Sequence, residues 1–152
     1  MATASVTPDQ NTITSEIDIA APIERVFAAI ADAEVVRRRA PHLDVYELDP
    51  RVGGKWRLEM RMPKAHHGVS VVRHEGEILE VDPPRLLVYT WFANFHRDPK
   101  HQSIVRWELT ATASGTHVKV THSGLASEPV AAKDYAGGWP GVLAEIKTWA
   151  EK

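Results

Sequence analysis

The spacing of hydrophobic and polar residues changes along the chain. Residues 12–19 alternate between apolar and polar side chains, which is the period-two pattern of a β-strand. Residues 22–31 place their apolar side chains on one helical face, and a second short helix is predicted over 32–39, capped by Asp32 and ended by Pro41. The pattern therefore predicts one strand followed by a pair of helices.

Alternation returns between residues 46 and 122, interrupted by turn-forming segments. It predicts strands over 46–48, 55–62, 69–81, 86–92, 102–112 and 116–122. Because short turns join consecutive strands, we expect an antiparallel sheet with one apolar face. Residues from about Glu128 onward are predicted to be helical, and this terminal helix is the only predicted element long enough to cover that face.

The terminal helix combines a strong apolar stripe with residues that helices avoid. The stripe is Trp139, Val142, Leu143, Ile146 and Trp149, and the helix breakers are Gly137, Gly138, Pro140 and Gly141. We expect Pro140 either to kink the helix or to begin it, and the glycines to leave open space above the sheet. Two interpretations of the stripe stay open, a plain core and the flexible roof of a cavity.

Composition limits the class of partner. The chain has 152 residues, 43% hydrophobic and 25% charged, which predicts a single domain over 12–152 preceded by a flexible tail over 1–11. A net charge of −2 disfavours nucleic-acid binding, and no apolar run is long enough for membrane insertion. The absence of cysteine excludes disulfides and thiol chemistry and fits a cytoplasmic location.

Aromatic and inward-facing residues supply candidate contacts for a ligand. Aromatic walls with few polar groups suit a small, flat, hydrophobic molecule. By parity with neighbouring apolar residues, His74 and His122 face inward, where they could orient a ligand, act as acid or base, or be structural. The faces of Tyr89 and Trp91 stay open, since a β-bulge would exchange them. The candidate ligand-binding residues are Trp56, Leu58, Met60, His74, Tyr89, Trp91, Trp107, His122, Trp139 and Leu143.

No sequence motif for catalytic chemistry is present. The remaining histidine pairs do not match a metal-ligand pattern such as H-E-x-x-H, and no G-x-S-x-G nucleophile motif occurs. We therefore predict no metal, no cofactor and no catalytic residue, and we expect His66 and His67 to be solvated loop residues. The side chains of Arg37–Arg39 are expected in solvent at a helix C-terminus, or one of them at a cavity mouth where it pairs with a ligand carboxylate.

Several segments, in this order, resemble a known family: IDIAAPIERVFAAIADAE (17–34), RVGGKW (51–56), GEILEVDPPRLLVYTW (76–91), THVKVTHSGL (116–125) and the Gly-Trp pair at 138–139. They resemble the START/Bet v 1-like (SRPBCC) superfamily, and within it the bacterial single-domain proteins similar to the activator of heat-shock protein 90 ATPase homologue. The resemblance implies an α+β helix-grip fold. In that fold a seven-stranded curved antiparallel sheet wraps around a long C-terminal helix, with two short helices between strands 1 and 2.

The resemblance also sets the functional expectations. Superfamily members bind lipids, sterols, polyketides or hormones, some catalyse cyclisation, and many are homodimers. The leading hypothesis is binding of a small hydrophobic or aromatic molecule between sheet and helix. The alternatives are a cyclase-, dehydratase- or hydrolase-type enzyme and a co-chaperone-like interaction module. This chain departs from its relatives at Arg37–Pro41, where an aromatic pair is usual, and at Pro140 and Gly141, where helix formers are usual.

Overall fold

The computed structural model describes residues 3–152. Helices α1 (Ile23–Ala31) and α2 (Ala33–Arg39) lie between the second and third strands, and α3 (Pro129–Ala150) follows the last strand. The strands are β1 (Thr3–Val6), β2 (Ile13–Ile19), β3 (Val45–Leu48), β4 (Lys55–His66), β5 (Val69–Asp82), β6 (Leu86–Ala93), β7 (Ser103–Thr112) and β8 (Gly115–Ser123). None of the helices within residues 3–152 has the combination of length and apolar character that a bilayer-spanning helix requires.

Over the described residues, eight strands form one antiparallel sheet in the order β1-β2-β8-β7-β6-β5-β4-β3. The register shifts between Arg61 and His66 in β4 and between Ile78 and Glu80 in β5, and such bulges bend a sheet. Helix α3 packs against β1, β2 and α1. The predicted α+β helix-grip architecture, a curved antiparallel sheet around a C-terminal helix, is confirmed.

The sequence prediction of a tail and of seven strands is wrong for residues 3–6. Thr3 pairs with Glu16 and Val6 with Ile13, so β1 adds an eighth strand at the sheet edge. The strand is only four residues long and largely exposed, so its sequence carries no alternating apolar pattern. A turn in which Thr7 Oγ1 donates to Asp9 at 2.7 Å returns the chain to β2. Residues 1–2 of the predicted tail lie outside the described part of the chain.

The terminal helix runs unbroken through its helix breakers. Pro140 lies inside α3, so the alternative in which the helix begins at Pro140 is wrong, and Pro129 takes the first-turn position instead. Trp139, Leu143 and Ile146 are buried, which confirms most of the predicted apolar stripe as core. A Cβ atom added at Gly137, Gly138 or Gly141 would meet no atom within 4 Å, so the chain has open space at these positions.

A close approach between strands fixes the position of one cavity wall residue. The indole N–H of Trp56 in β4 crosses β5 and donates to the Thr90 carbonyl in β6 at 2.8 Å. This crossing passes over Gly76, where an added Cβ would lie 1.8 Å from the Thr90 oxygen and 2.6 Å from Trp56 Nε1. Glycine is therefore required at residue 76 for the Trp56 ring to lie on the inner face of the sheet.

Candidate ligand-binding site

Two cavities lie between the sheet and α3, and Gly138 lines both. The first, which we call the aromatic cavity, has a volume of about 410 Å³ and lies between the middle of α3, the helix pair and the inner face of the sheet. The second, which we call the histidine cavity, has a volume of about 920 Å³ and lies between the β4–β5 hairpin and the first half of α3. The position of Gly138 in both walls makes α3 the common roof.

Six of the ten predicted ligand-binding residues line the aromatic cavity. They are Trp56, Leu58, Tyr89, Trp91, Trp107 and Trp139. Their rings pack against one another, with centroids 4.8 Å apart for Trp56 and Tyr89 and 5.0 Å apart for Trp56 and Trp91. Tyr89 and Trp91 both face inward, because the bulge of this strand pair lies on β5 and leaves the alternation of β6 intact. The alternation therefore places Tyr89 and Trp91 in the same wall.

Polar groups in the aromatic cavity are few. The Tyr89 hydroxyl accepts a hydrogen bond from the Trp107 indole N–H at 2.9 Å, and burial raises the pKa of Tyr89 above its usual range. The hydroxyl is therefore neutral at physiological pH. Because its oxygen already accepts a bond from Trp107, its own proton can be donated to a ligand acceptor.

A buried ion pair forms part of the aromatic cavity wall. The Arg39 side chain is only 8% exposed, donates to the Ala29 carbonyl at 2.5 Å and pairs with Glu145 on α3 at 2.8 Å. Burial lowers the pKa of Arg39, and the neighbouring Tyr46 and Glu145 act in the opposite direction. The expectation that all three arginines are solvated is wrong for Arg39, because the pair with Glu145 compensates its burial. Arg39 lines the cavity, as the alternative placed one arginine, but its carboxylate partner is Glu145 of the protein.

The Met60 and His74 side chains line the histidine cavity rather than the aromatic one. His74 is 9% exposed, and both of its ring nitrogens lack a hydrogen-bond partner among the described residues. Burial, with smaller effects from His96 and His66, lowers the pKa of His74 to about 3. His74 is therefore neutral near pH 7, and its polar atoms are available to a group that enters the cavity.

The His122 and Leu143 side chains are buried in the core and line neither cavity. Trp139 Nε1 donates to His122 Nδ1 at 3.2 Å, so the ring proton lies on Nε2, 2.7 Å from Ser103 Oγ. Ser103 in turn donates to the Trp91 carbonyl at 3.0 Å. His122 therefore fits the structural alternative considered from the sequence, and it holds Trp139 in place.

The sequence did not identify a group of residues at the rim of the histidine cavity. His66 and His67, expected to be solvated, lie beside Asp134 of α3, with His66 Nε2 3.2 Å from the Asp134 carboxylate. The HHG segment could have marked a hairpin turn. Nothing in the sequence pattern connects this turn to Asp134, which lies 68 residues further along the chain.

A curved sheet around a terminal helix, with cavities between them, defines a helix-grip protein of the Bet v 1-like type, which is a ligand-binding fold. The chain belongs to the family described as Activator of Hsp90 ATPase homolog 1-like protein, whose model matches residues 20–151. No curated protein matches the sequence.

Solved structures of bacterial proteins have the same fold. A protein from Rhodobacter sphaeroides superposes with a TM-score of 0.77 at 15% identity, over 98% of this chain and 97% of the other. One from Chromobacterium violaceum gives 0.75 at 23% identity, over 93% and 99%. A protein from Mesorhizobium loti gives 0.71 at 27% identity, over 90% and 94%. These similarities support the fold and do not identify a ligand.

Proposed function

We propose that the chain binds a small, largely apolar molecule with a flat ring system in the aromatic cavity. The observation that carries the proposal is a cavity of about 410 Å³ walled by aromatic rings and roofed by glycines of α3. This volume is near the lower end of the range of about 300–1,000 Å³ that ligand pockets occupy. The proposed contacts are Trp56, Leu58, Tyr89, Trp91, Trp107 and Trp139.

The charges around the aromatic cavity favour a neutral ligand. Because Glu145 compensates the Arg39 cation at 2.8 Å, a carboxylate entering the cavity would compete with an existing partner. The Tyr89 hydroxyl offers one hydrogen-bond donor for a carbonyl or ether oxygen. Trp91 Nε1, in the same wall, is a further buried donor without a hydrogen-bond partner among the described residues. We therefore propose that the ligand carries one or two polar acceptors on an otherwise apolar ring system.

The experiment fills the cavity from its roof. A Gly138→Leu variant places a side chain where an added Cβ meets no atom within 4 Å, so the helix can stay in place while the aromatic cavity narrows. The control is Gly137→Leu, one residue away, which lines only the histidine cavity. The two variants change helix propensity equally.

The probe is 6-propionyl-2-(dimethylamino)naphthalene, an uncharged environment-sensitive aromatic dye with one carbonyl acceptor, titrated with tryptophan fluorescence as a second readout. We expect saturable binding of one dye per chain, about tenfold weaker for Gly138→Leu and unchanged for Gly137→Leu, since a leucine side chain takes up cavity volume. Equal affinity in all three proteins would contradict the proposal. If the proposal holds, native mass spectrometry of the chain purified from its own host identifies the retained molecule.

A further inference from the structure

We propose that His66, His67 and Asp134 bind one divalent transition-metal ion at the rim of the histidine cavity. Each residue offers a donor atom, and these atoms all lie within 4.8 Å of one another. His66 Nε2 is 3.2 Å from Asp134 Oδ2, and His67 Nε2 is 3.9 Å from Asp134 Oδ1. The carboxylate thus has one oxygen near each imidazole. This proposal goes beyond ligand binding in the aromatic cavity and does not depend on it.

The β4–β5 turn brings two consecutive histidines together. Adjacent residues of a regular strand point to opposite faces, which would separate the two rings. Here His66 pairs directly with Val69, and the two turn residues His67 and Gly68 have φ values of 49° and 86°. Positive φ at both central positions is the pattern of a type I′ turn, in which Asn-Gly is the preferred sequence. His67 occupies this left-handed position, and its ring centroid lies 4.2 Å from that of His66.

An aromatic support fixes the orientation of both rings. Phe95 stacks on His67 with centroids 4.8 Å apart and meets His66 edge-on at 5.4 Å. Phe95 also contacts the His74 ring at 5.8 Å, so the cluster is continuous with the buried histidine whose nitrogens have no partner among the described residues. The same cavity therefore holds imidazoles at its rim and in its wall.

The donor set selects the class of ion. Two imidazoles and one carboxylate suit Zn²⁺, Co²⁺ or Ni²⁺, whereas Mg²⁺ and Ca²⁺ prefer oxygen ligands. Metal–nitrogen distances near 2.0–2.1 Å require the donor atoms to come closer than they are. Side-chain rotation can achieve this, because the side chains of His66 and His67 are each 29% exposed and that of Asp134 is 37% exposed. Three protein ligands leave at least one coordination position for water or an added ligand.

The test measures metal binding by the untagged, chelator-treated chain. We expect one equivalent of Zn²⁺ in isothermal titration calorimetry, Co²⁺ absorption bands of a nitrogen–oxygen site, and no binding of Mg²⁺ at the same concentration. His66→Ala, His67→Ala and Asp134→Asn should each weaken Zn²⁺ binding by about tenfold or more, since each removes a ligand. Circular dichroism checks that the fold is kept, and Asp134→Asn retains side-chain volume if an alanine variant unfolds.

Two controls separate this cluster from other histidines. His117 has Asp18 at 2.7 Å from one ring nitrogen and Glu16 at 2.8 Å from the other, so these groups cannot chelate a single ion. Zn²⁺ binding by His117→Ala should equal that of the unmodified chain. His96 and His101 have their Nδ1 atoms 3.4 Å apart and form the competing pair. The proposal would be overturned if His101→Ala loses the Zn²⁺ equivalent while His66→Ala keeps it. The absence of any Zn²⁺ binding would also overturn it, and would show that the cluster is an ion pair alone.

Discussion

The two cavities beneath α3 differ in how their polar groups are satisfied. In the aromatic cavity, the Trp56 and Trp107 N–H groups have acceptors at 2.8 Å and 2.9 Å, whereas Trp91 Nε1 is buried without a hydrogen-bond partner among the described residues. In the histidine cavity, His74 has two buried nitrogens without a partner in the described part of the chain. Three of the four indole N–H groups in the first wall are therefore paired, whereas the buried histidine of the second wall is paired at neither ring nitrogen. The two walls thus differ in degree, with one unpaired buried donor among several rings in the aromatic cavity and two unpaired atoms on a single ring in the histidine cavity.

The same contrast separates two buried histidines of similar exposure. His122 is 0% exposed and bonded at both ring nitrogens, and His74 is 9% exposed and bonded at neither. Burial lowers both pKa values, so both rings are neutral near pH 7. Since burial and charge are alike, their hydrogen-bond partners decide which histidine stabilises the fold.

The largest expected effect comes from removing the residue shared by the aromatic wall and the His122 network. Trp139→Ala should lower the free energy of unfolding by about 3–5 kcal/mol, because it leaves a cavity and removes the N–H donor to His122. Urea denaturation measures the change. Trp149→Ala is the control, since Trp149 is only partly buried and should cost less. Equal losses in the two variants would show that Trp139 is not part of a tightly packed wall.

The acid sensitivity of the fold tests the buried histidines. His74 has an ordinary pKa of 6.5 when unfolded and about 3 when folded, so below pH 6.5 the unfolded chain takes up a proton that the folded chain does not. Stability is therefore present above pH 6.5 and is lost as the pH falls toward 3, at roughly 1.4 kcal/mol per pH unit for this group. Between pH 6.5 and pH 4.5, His74→Phe should lose about 2–3 kcal/mol less than the unmodified chain.

The contribution of His117 to stability changes with pH in the opposite direction to that of His74. The His74→Phe variant must therefore be compared with the unmodified chain at each pH. Hydrogen bonds that the protonated ring donates to the Glu16 and Asp18 carboxylates raise the pKa of His117, so its stabilisation is present at low pH and is lost as the pH rises through the folded value. Because His117 is the same in both proteins, its effect cancels in their difference. Parallel pH profiles in urea denaturation, with chelator present, would contradict the assignment of acid sensitivity to His74.

Replacing each buried histidine by phenylalanine at pH 7.5 tests the contrast directly. His122→Phe should cost about 1–3 kcal/mol, because the Trp139 N–H loses its acceptor. His74→Phe should be neutral or stabilising by up to about 2 kcal/mol, because it removes two unpaired polar atoms and keeps a flat ring. Thermal denaturation distinguishes the two signs. Destabilisation by both substitutions would mean that His74 has a partner that stabilises it.

Local patterns in the sequence predicted more than long-range pairs did. Alternation placed Trp56 and Trp107 on the inner face, since strand parity is a local property, but it left the face of Trp91 open because a bulge could not be excluded. The Arg39–Glu145 and His66–Asp134 pairs were not predicted, because each joins α3 to a distant segment and neither has its own periodicity. Strand β1 was missed for another reason: its four exposed residues are ordered by pairing with β2 and not by burial.

The smallest effect concerns the helix breakers of α3, and it tests whether the glycines serve the cavities or the backbone. Gly137→Ala should stabilise the fold by about 0.5–1 kcal/mol, or about 1–4 °C in Tm, because nothing lies within 4 Å of the added Cβ and alanine favours the helix. Gly138→Ala should stabilise the fold similarly, but it also adds a methyl group to the aromatic cavity. Dye affinity should therefore fall only for Gly138→Ala. If both variants are less stable than the unmodified chain, the backbone itself requires glycine at these two positions. Open space above the sheet would then not explain why the helix retains residues that weaken it.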